Sequence, residues 1–134
     1  MAHFVLDSYA LLAYFRNETG AEKIEQLLNE AVADKHELHM TCINAGEVYY
    51  MAHRKDGADK AALVWKAMLQ FPIHITEADM NLTFKAASLK AKYKLSYADA
   101  FAAVLAINKK ATLITGDSEF DNLIGETNFK VRYL

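Results

Sequence analysis

Residues 96–107 are small or apolar on nearly every face when they are wound into an α-helix. A helix without a polar face is stable when neighbours bury it on all sides, so this stretch predicts a central helix against which other elements pack. One charge interrupts it. Asp99 lies near the first turn, where a buried carboxylate is costly to ionise without compensation. Ser96 and Asp99 also have the spacing of a capping box, so a purely structural role for Asp99 stays open at this point.

The size and composition of the chain fit one globular domain. It has 134 residues, of which 53% are hydrophobic and 24% charged, enough to bury a sizeable core, and we expect a single domain over residues 1–134. The one cysteine, Cys42, excludes an internal disulfide and a cysteine-rich zinc site. No basic stretch precedes a long apolar run, and no run is long enough to span a bilayer. We therefore expect a cytoplasmic protein with no membrane association.

The charge balance limits how the chain can meet a polyanion. A formal net charge of −2 gives no general attraction to nucleic acid or to anionic lipid. The one basic concentration, at residues 85–94, is interpreted as the solvated face of a helix. A polyanionic partner would have to be met by local charge or by a bound metal.

Strand-like runs alternate with helical periodicity along the chain. The runs are residues 3–6, 38–41, 73–76 and 112–115, and residues 129–133 have the alternation of a half-exposed edge strand. Helices are predicted between them, with capping boxes at Thr19 and Glu22, at Asn44 and Glu47, and at Thr76 and Asp79. This order predicts an α/β domain whose central sheet of about five strands is mainly parallel and is flanked by helices on both faces.

Four acidic residues fall near one edge of this predicted sheet. Asp7 directly follows the first strand, Glu47 comes just after the second, and Asp117 directly follows the fourth. Ligands of such sheets bind outside the carboxyl ends of the strands, where helices present their N-termini. Asp99 joins the group if the central helix begins at that same edge.

Each acid also has a structural explanation. Asp7 and Asp117 fit helix caps or turns, and Glu47 and Asp99 fit third positions of capping boxes. Four converging carboxylates repel one another, however, and need a cation, a proton or a basic partner. Oxygen ligands suit Mg²⁺ or Mn²⁺, and such an ion activates water against a phosphodiester bond.

The motifs FVLDS at residues 4–8, NAGEV at 44–48, YADA at 97–100 and TGDSEF at 115–120 resemble those of PIN-domain proteins in order and approximate separation. More narrowly, the chain resembles VapC-type toxin ribonucleases of prokaryotic toxin–antitoxin pairs. The resemblance extends over essentially the whole chain. It implies a parallel sheet flanked by helices, a homodimer and inhibition by a small antitoxin.

The resemblance also implies an activity and a site. The activity is endoribonuclease cleavage of RNA that depends on Mg²⁺ or Mn²⁺. The catalytic and metal-binding quartet, in which Glu47 acts directly or through water, is Asp7, Glu47, Asp99 and Asp117. Two further positions, Ser8 and Thr115, support that site by hydrogen bonding.

The remaining candidates are interpreted structurally. Glu119 stands where many family members have an aspartate, and we expect it to be peripheral. The five histidines have no metal-ligand spacing, and we expect them on strands or at the surface. Tyr9, Tyr49, Tyr50 and Trp65 fit core or dimer packing better than base stacking.

Two other functions compete with the nuclease. A catalytically inactive PIN-like RNA-binding or scaffold protein would keep the fold with purely structural acids, and a missing acid would have favoured it. A phosphatase with an aspartyl nucleophile would need a second aspartate two residues after Asp7. Tyr9 occupies that place.

Overall fold

A parallel five-stranded sheet forms the centre of the fold. The computed structural model describes residues 1–134. The strands are β1 (Ala2–Leu6), β2 (His36–Thr41), β3 (Ile73–Thr76), β4 (Thr112–Thr115) and β5 (Lys130–Tyr133). Their order in the sheet is β3-β2-β1-β4-β5, and every neighbouring pair is parallel. The predicted α/β class is confirmed, with β5 at an edge of the sheet as its alternation predicts.

Six α-helices and one short 3-10 helix connect the strands. They are α1 (Ser8–Phe15), α2 (Ala21–Val32), α3 (Cys42–Asp56), α4 (Ala58–Gln70), α5 (Met80–Lys92), α6 (Tyr97–Lys109) and the 3-10 helix Ser118–Leu123. None of the helices combines the length and the apolar character that crossing a bilayer requires.

Two separate cores lie on the two faces of the sheet. Successive strand residues point to opposite faces, so Val5 packs in one core with α5 and α6, while Leu6 packs in the other with α1 and α2. Leu113 and Ile114 of β4 divide in the same way. The predicted helices on both faces are confirmed.

Helix α6 is the buried central helix that its composition predicts. Its residues from Asp99 to Ala106 are all buried, and it contacts β1, β2 and β4 as well as α3 and α5. Ala100, Ala102 and Ala103 have no exposed surface. Their short side chains let the helix backbone lie close to its neighbours, which fixes its N-terminus at one place on the sheet edge.

The predicted capping box at the start of α2 is wrong. The helix begins after Gly20, whose φ of 99° lies in the left-handed region that favours glycine, and no side chain caps it. A Cβ at Gly20 would lie 2.8 Å from the Cβ of Leu134. Gly20, which combines a left-handed backbone with close contact to the distant Leu134, therefore precedes this helix in place of a capping box at Thr19 and Glu22.

The start of α3 also differs from the sequence prediction. The helix begins at Cys42 and is capped by Thr41, whose hydroxyl accepts the N–H of Asn44 at 3.0 Å. Asn44 is therefore inside the helix, and Glu47 lies in its second turn rather than at the third position of a capping box. Because β2 ends at Thr41, the first turns of α3 lie near the carboxyl edge of the sheet.

Two other helices, α5 and α6, begin at residues whose side chains cap them. Asp79, not Thr76, caps α5 and accepts the N–H of Leu82 at 2.8 Å. Ser96 caps α6, as predicted, and its hydroxyl accepts the N–H of Asp99 at 3.1 Å. The Ser96 cap anchors the first turn of α6, which carries Asp99.

We predict that Ala103→Leu destabilises the protein by about 1–3 kcal/mol, because added methylenes in a filled core force backbone shifts. Urea denaturation measures the change in the free energy of unfolding. The matched control is Ala87→Leu on an exposed face of α5, expected to change stability by less than about 0.5 kcal/mol. Equal effects of the two substitutions would contradict the close packing of α6.

Candidate active site

One cleft at the carboxyl edge of the sheet brings the four predicted acids together. Its volume is about 230 Å³. Its walls come from the segment after β1, from α3, from the start of α6 and from the segment after β4. The lining residues are Asp7, Ser8, Tyr9, Leu12, Glu47, Met51, Ser96, Asp99, Asp117 and Glu119.

Asp7 is the most buried of the acids, with 1% of its surface exposed. It caps α1 by accepting the N–H of Ala10 at 2.9 Å, and its second oxygen accepts the hydroxyl of Thr115. Burial raises the pKa of Asp7 to about 7, the two hydrogen bonds oppose the rise, and Asp117 and Glu47 add to it. Asp7 is both a helix cap and a member of an acidic cluster.

Asp99 is held in the first turn of α6 and is 8% exposed. Burial, followed by the negative charges of Asp117 and Asp7, raises its pKa to about 7. The Ser96 hydroxyl partly offsets that rise. Ser96 therefore caps α6 through the Asp99 N–H, and the capping box is only half formed, so capping does not account for the Asp99 carboxylate.

Glu47 reaches the cleft from the second turn of α3. Its Oε1 accepts the hydroxyl of Ser8 at 2.5 Å. This bond joins the first residue of α1 to α3 and orients the carboxylate. Ser8 thus supports an acid by hydrogen bonding, the kind of contact expected of it.

Asp117 and Glu119 come from the segment that follows β4. The Asp117 carboxylate caps the 3-10 helix by accepting the N–H of Glu119 at 2.9 Å, and the Asp117 N–H donates to the Thr115 hydroxyl at 3.0 Å. One carboxylate oxygen from each of Asp99, Asp117 and Glu119 lies within 4.8 Å of the others. The expectation that Glu119 is peripheral is wrong, because the 3-10 turn brings it back over the cleft.

Asn44 is a buried positioning residue, although its place in the sequence predicts a helix cap. Its side-chain N–H₂ donates to the carbonyl of Ala98 at 3.2 Å, and its side-chain carbonyl accepts the hydroxyl of Thr41. The residue therefore joins α3 to the first turn of α6, next to Asp99. The sequence offers only an asparagine three residues before Glu47 as a signal. Its burial and its partner, 54 residues away, become visible only in the fold.

Tyr9 lies at the cleft and is 48% exposed, so it is not a core residue. Its ring packs on Gly116, where a Cβ would lie 2.1 Å from the ring. Glycine is required at that position because any side chain would displace the tyrosine. The two residues set the shape of the cleft beside Asp117.

The residues present fit a hard divalent cation. The cleft lining contains four carboxylates of the predicted quartet together with Glu119, and it contains no lysine or arginine. Oxygen ligands of this kind suit Mg²⁺ or Mn²⁺. Burial and the neighbouring carboxylates raise the pKa values of Asp7 and Asp99 to about 7, and no basic side chain lines the cleft to lower them. A bound cation would supply the positive charge that the lining lacks.

The fold and this cleft define a class of protein, a parallel α/β domain with an acidic cleft at the carboxyl edge of its sheet. Within that class, the PIN domain model matches residues 4–125, and the chain belongs to the PIN domain family. No protein of curated function matches the sequence.

Solved structures share the fold at low sequence identity. VapBC2 from Rickettsia felis, bound to a DNA fragment from their promoter, has a chain with a TM-score of 0.75 and 17% identity, covering 98% of each chain. DNA-bound VapBC from Salmonella typhimurium has a chain with a TM-score of 0.75 and 13% identity, and the match covers 99% of this chain and 98% of that one. VapC20 from Mycobacterium tuberculosis, a sarcin-ricin loop cleaving toxin, has a TM-score of 0.69 and 16% identity, and the match covers 90% of this chain and 93% of that one.

We predict that Asp99→Asn stabilises the metal-free protein at pH 8. The folded-state pKa of Asp99 is raised to about 7 from 3.8, so the native state binds its proton more tightly and stability falls as pH rises between those values. At pH 8 the substitution removes a penalty of about 1–2 kcal/mol, reduced by the solvent in the cleft. Thermal denaturation in EDTA at pH 5 and pH 8 measures the effect, which is smaller at pH 5.

The matched control is Glu25→Gln, an exposed acid on α2, for which we expect no such pH dependence. Added Mn²⁺ at pH 8 is expected to raise the melting temperature of the wild type more than that of Asp99→Asn. If Asp99→Asn is less stable than the wild type at pH 8 in EDTA, the ionised carboxylate stabilises the metal-free protein and this prediction is wrong.

We predict that Asn44→Ala destabilises the protein by about 1–3 kcal/mol, because it leaves the buried Thr41 hydroxyl and Ala98 carbonyl without their partner. Urea denaturation gives the free energy of unfolding. Asn29→Ala, at an exposed position of α2, is the control and is expected to have an effect below about 0.5 kcal/mol. Equal stability of both variants would remove the proposed link between α3 and α6.

Proposed function

We propose that this protein is a metal-dependent endoribonuclease that cleaves RNA phosphodiester bonds with an activated water, and that it is the toxin of a type II toxin–antitoxin pair. One observation carries the proposal: carboxylates from four separate parts of the chain line one cleft without a basic residue among them. Membership of the PIN domain family supports a nuclease. In this proposal the whole chain, residues 1–134, is a single PIN-like nuclease domain.

The proposed metal ligands are Asp7, Asp99 and Asp117, with Glu47 acting directly or through water. The ion is Mg²⁺ or Mn²⁺, in keeping with the oxygen-only donor set. When bound, it polarises a phosphoryl oxygen, lowers the pKa of a water and stabilises the leaving oxygen. It also supplies the positive charge that a chain of net charge −2 lacks for binding RNA.

The side chains of the cleft divide the remaining tasks. Thr115 and the Ala10 N–H each hold one oxygen of Asp7, which fixes the direction of its free lone pairs. The bond from Ser8 occupies only one oxygen of Glu47. The other oxygen is free to orient the attacking water and to accept its proton.

Tyr9 offers an aromatic face to the substrate in this proposal. Its ring is half-exposed beside the acids, and single-stranded RNA bases commonly stack on such rings. A base seated there would place the neighbouring phosphate over the carboxylates. Tyr9 would then bind substrate, while the acids act on it.

The proposed protein partners are a small antitoxin and a second copy of this chain. Among the structures with this fold are VapBC complexes from two organisms. An apolar groove between α3 and α4, lined by Gly46, Tyr49, Ala62 and Trp65, is a surface that a protein partner could cover. These features support a protein contact without selecting between the two partners.

We predict that purified protein, freed of antitoxin, cleaves RNA with added Mn²⁺ or Mg²⁺ and loses the activity on chelation. Asp7→Asn and Asp99→Asn are each expected to lower the single-turnover rate at least about 100-fold, because each removes a ligand from the cleft. Gel analysis of a labelled RNA measures the rate. Circular dichroism and melting curves verify that both variants are folded.

Glu25→Gln, on the exposed face of α2, is the control variant and is expected to cleave at the wild-type rate. Equal cleavage by the wild type and both aspartate variants would indicate a contaminating nuclease and would leave an inactive RNA-binding or scaffold protein as the better explanation. Binding of labelled RNA without cleavage, at any metal concentration, would favour the same alternative.

A further inference from the structure

A second group of metal-ligand side chains lies toward the amino ends of β1 and β2, away from the carboxyl edge that holds the acidic cleft. His3 of β1 pairs in register with Glu37 of β2, and His39 follows two residues later on the same face of β2. The three side chains meet there, one ligand atom from each lying within 4.8 Å of the others. Residue spacing does not reveal this group, because the parallel pairing of β1 and β2 creates it.

The distances in this cluster match those of a tetrahedral metal site. His3 Nδ1 lies 3.0 Å from His39 Nε2 and 3.2 Å from Glu37 Oε2, and His39 Nε2 lies 3.7 Å from the same Glu37 oxygen. Two ligand atoms bonded to one zinc ion at about 2.0–2.1 Å and at the tetrahedral angle lie roughly 3.3–3.4 Å apart. The three atoms thus need only small shifts to share an ion.

We propose that His3, Glu37 and His39 form a second metal site, separate from the acidic cleft, that binds Zn²⁺. Two imidazole nitrogens and one carboxylate oxygen are a zinc-type donor set, whereas the oxygen-only cleft suits Mg²⁺ or Mn²⁺. The proposal does not depend on the nuclease activity.

The surroundings of His39 suit a ligand. The ring is buried, and its Nδ1 has no hydrogen-bond partner, whereas its Nε2 faces His3 and Glu37. Nε2 is therefore the nitrogen of His39 that would bind the ion, with the ring proton on Nδ1.

His3 and Glu37 give the ion a path from solvent. Their side chains are 34% and 42% exposed, so water can reach the cluster and fill the fourth position. His74 of β3 lies beyond His39, with ring centroids 5.3 Å apart, and extends the histidine-rich strip across the neighbouring strand.

A metal held there would join β1 to β2. His3 and His39 are 36 residues apart in sequence, and α1 and α2 lie between them. An ion that binds only the folded arrangement raises the melting temperature, and the rise grows with the logarithm of the ratio of free ion to Kd. The site is thus a structural clamp on the first two strands of the sheet.

Cobalt(II) titration tests the site, because Co²⁺ absorbs visible light strongly in a tetrahedral site with nitrogen ligands and weakly in an octahedral oxygen site. The wild-type protein is expected to bind one tetrahedral Co²⁺, which Zn²⁺ displaces and excess Mg²⁺ does not. His3→Gln and Glu37→Gln are each expected to weaken Co²⁺ binding at least about 100-fold. His53→Gln, an exposed histidine on α3, is the control and should bind as the wild type does.

Two further variants separate this site from the cleft. Asp99→Asn is expected to keep the tetrahedral Co²⁺ spectrum even if RNA cleavage is lost, and wild-type but not His3→Gln protein is expected to melt at a higher temperature with Zn²⁺. Absence of tetrahedral absorption in the wild type, or its full retention in both His3→Gln and Glu37→Gln, would overturn the proposal. Both of these substitutions are at partly exposed positions, and melting curves in EDTA establish that the proteins are folded.

Discussion

Burial of carboxylates at the carboxyl edge of the sheet, together with their mutual repulsion, is the constraint on which the local structure depends. Burial and mutual repulsion raise the pKa values of Asp7 and Asp99 to about 7. Polar groups of the fold oppose that rise, among them the Ala10 N–H and the Thr115 and Ser96 hydroxyls. These contacts reduce the repulsion without removing it. Such unrelieved charge is characteristic of sites that await a ligand.

The scaffold that holds these acids is defined by α6, which packs against three strands and two helices. Its alanines bring the helix close to the sheet, and Asn44 ties its first turn to α3. The first turn of α6 therefore has little freedom to move away from the charges around it. Positioning of this kind is what a metal centre requires, since a ligand set must be held close to its final geometry.

Sequence patterns predicted the strands as apolar runs, and an acid directly after a strand, such as Asp7 or Asp117, falls at the carboxyl end of the sheet. The quartet as a whole was implied by the resemblance to PIN-domain proteins, because the placement of Asp99 depends on how α6 meets the sheet. The failures have tertiary causes. The residue that precedes α2 is Gly20, which lies against the distant Leu134. Glu119 is brought back to the cleft by a 3-10 turn. The cluster of His3 with His39 arises from strand pairing. No local pattern encodes these contacts.

The strand order also determines when the cleft can form. Asp7 and its partner Thr115 are 108 residues apart, and they meet because β4 pairs directly with β1. Contacts between such distant segments form late in folding. A chain emerging from the ribosome therefore carries Asp7, Glu47 and Asp99 but no complete cleft until residues 112–117 have been synthesised and have joined the sheet. The order of synthesis delays assembly of this site until most of the protein has been made.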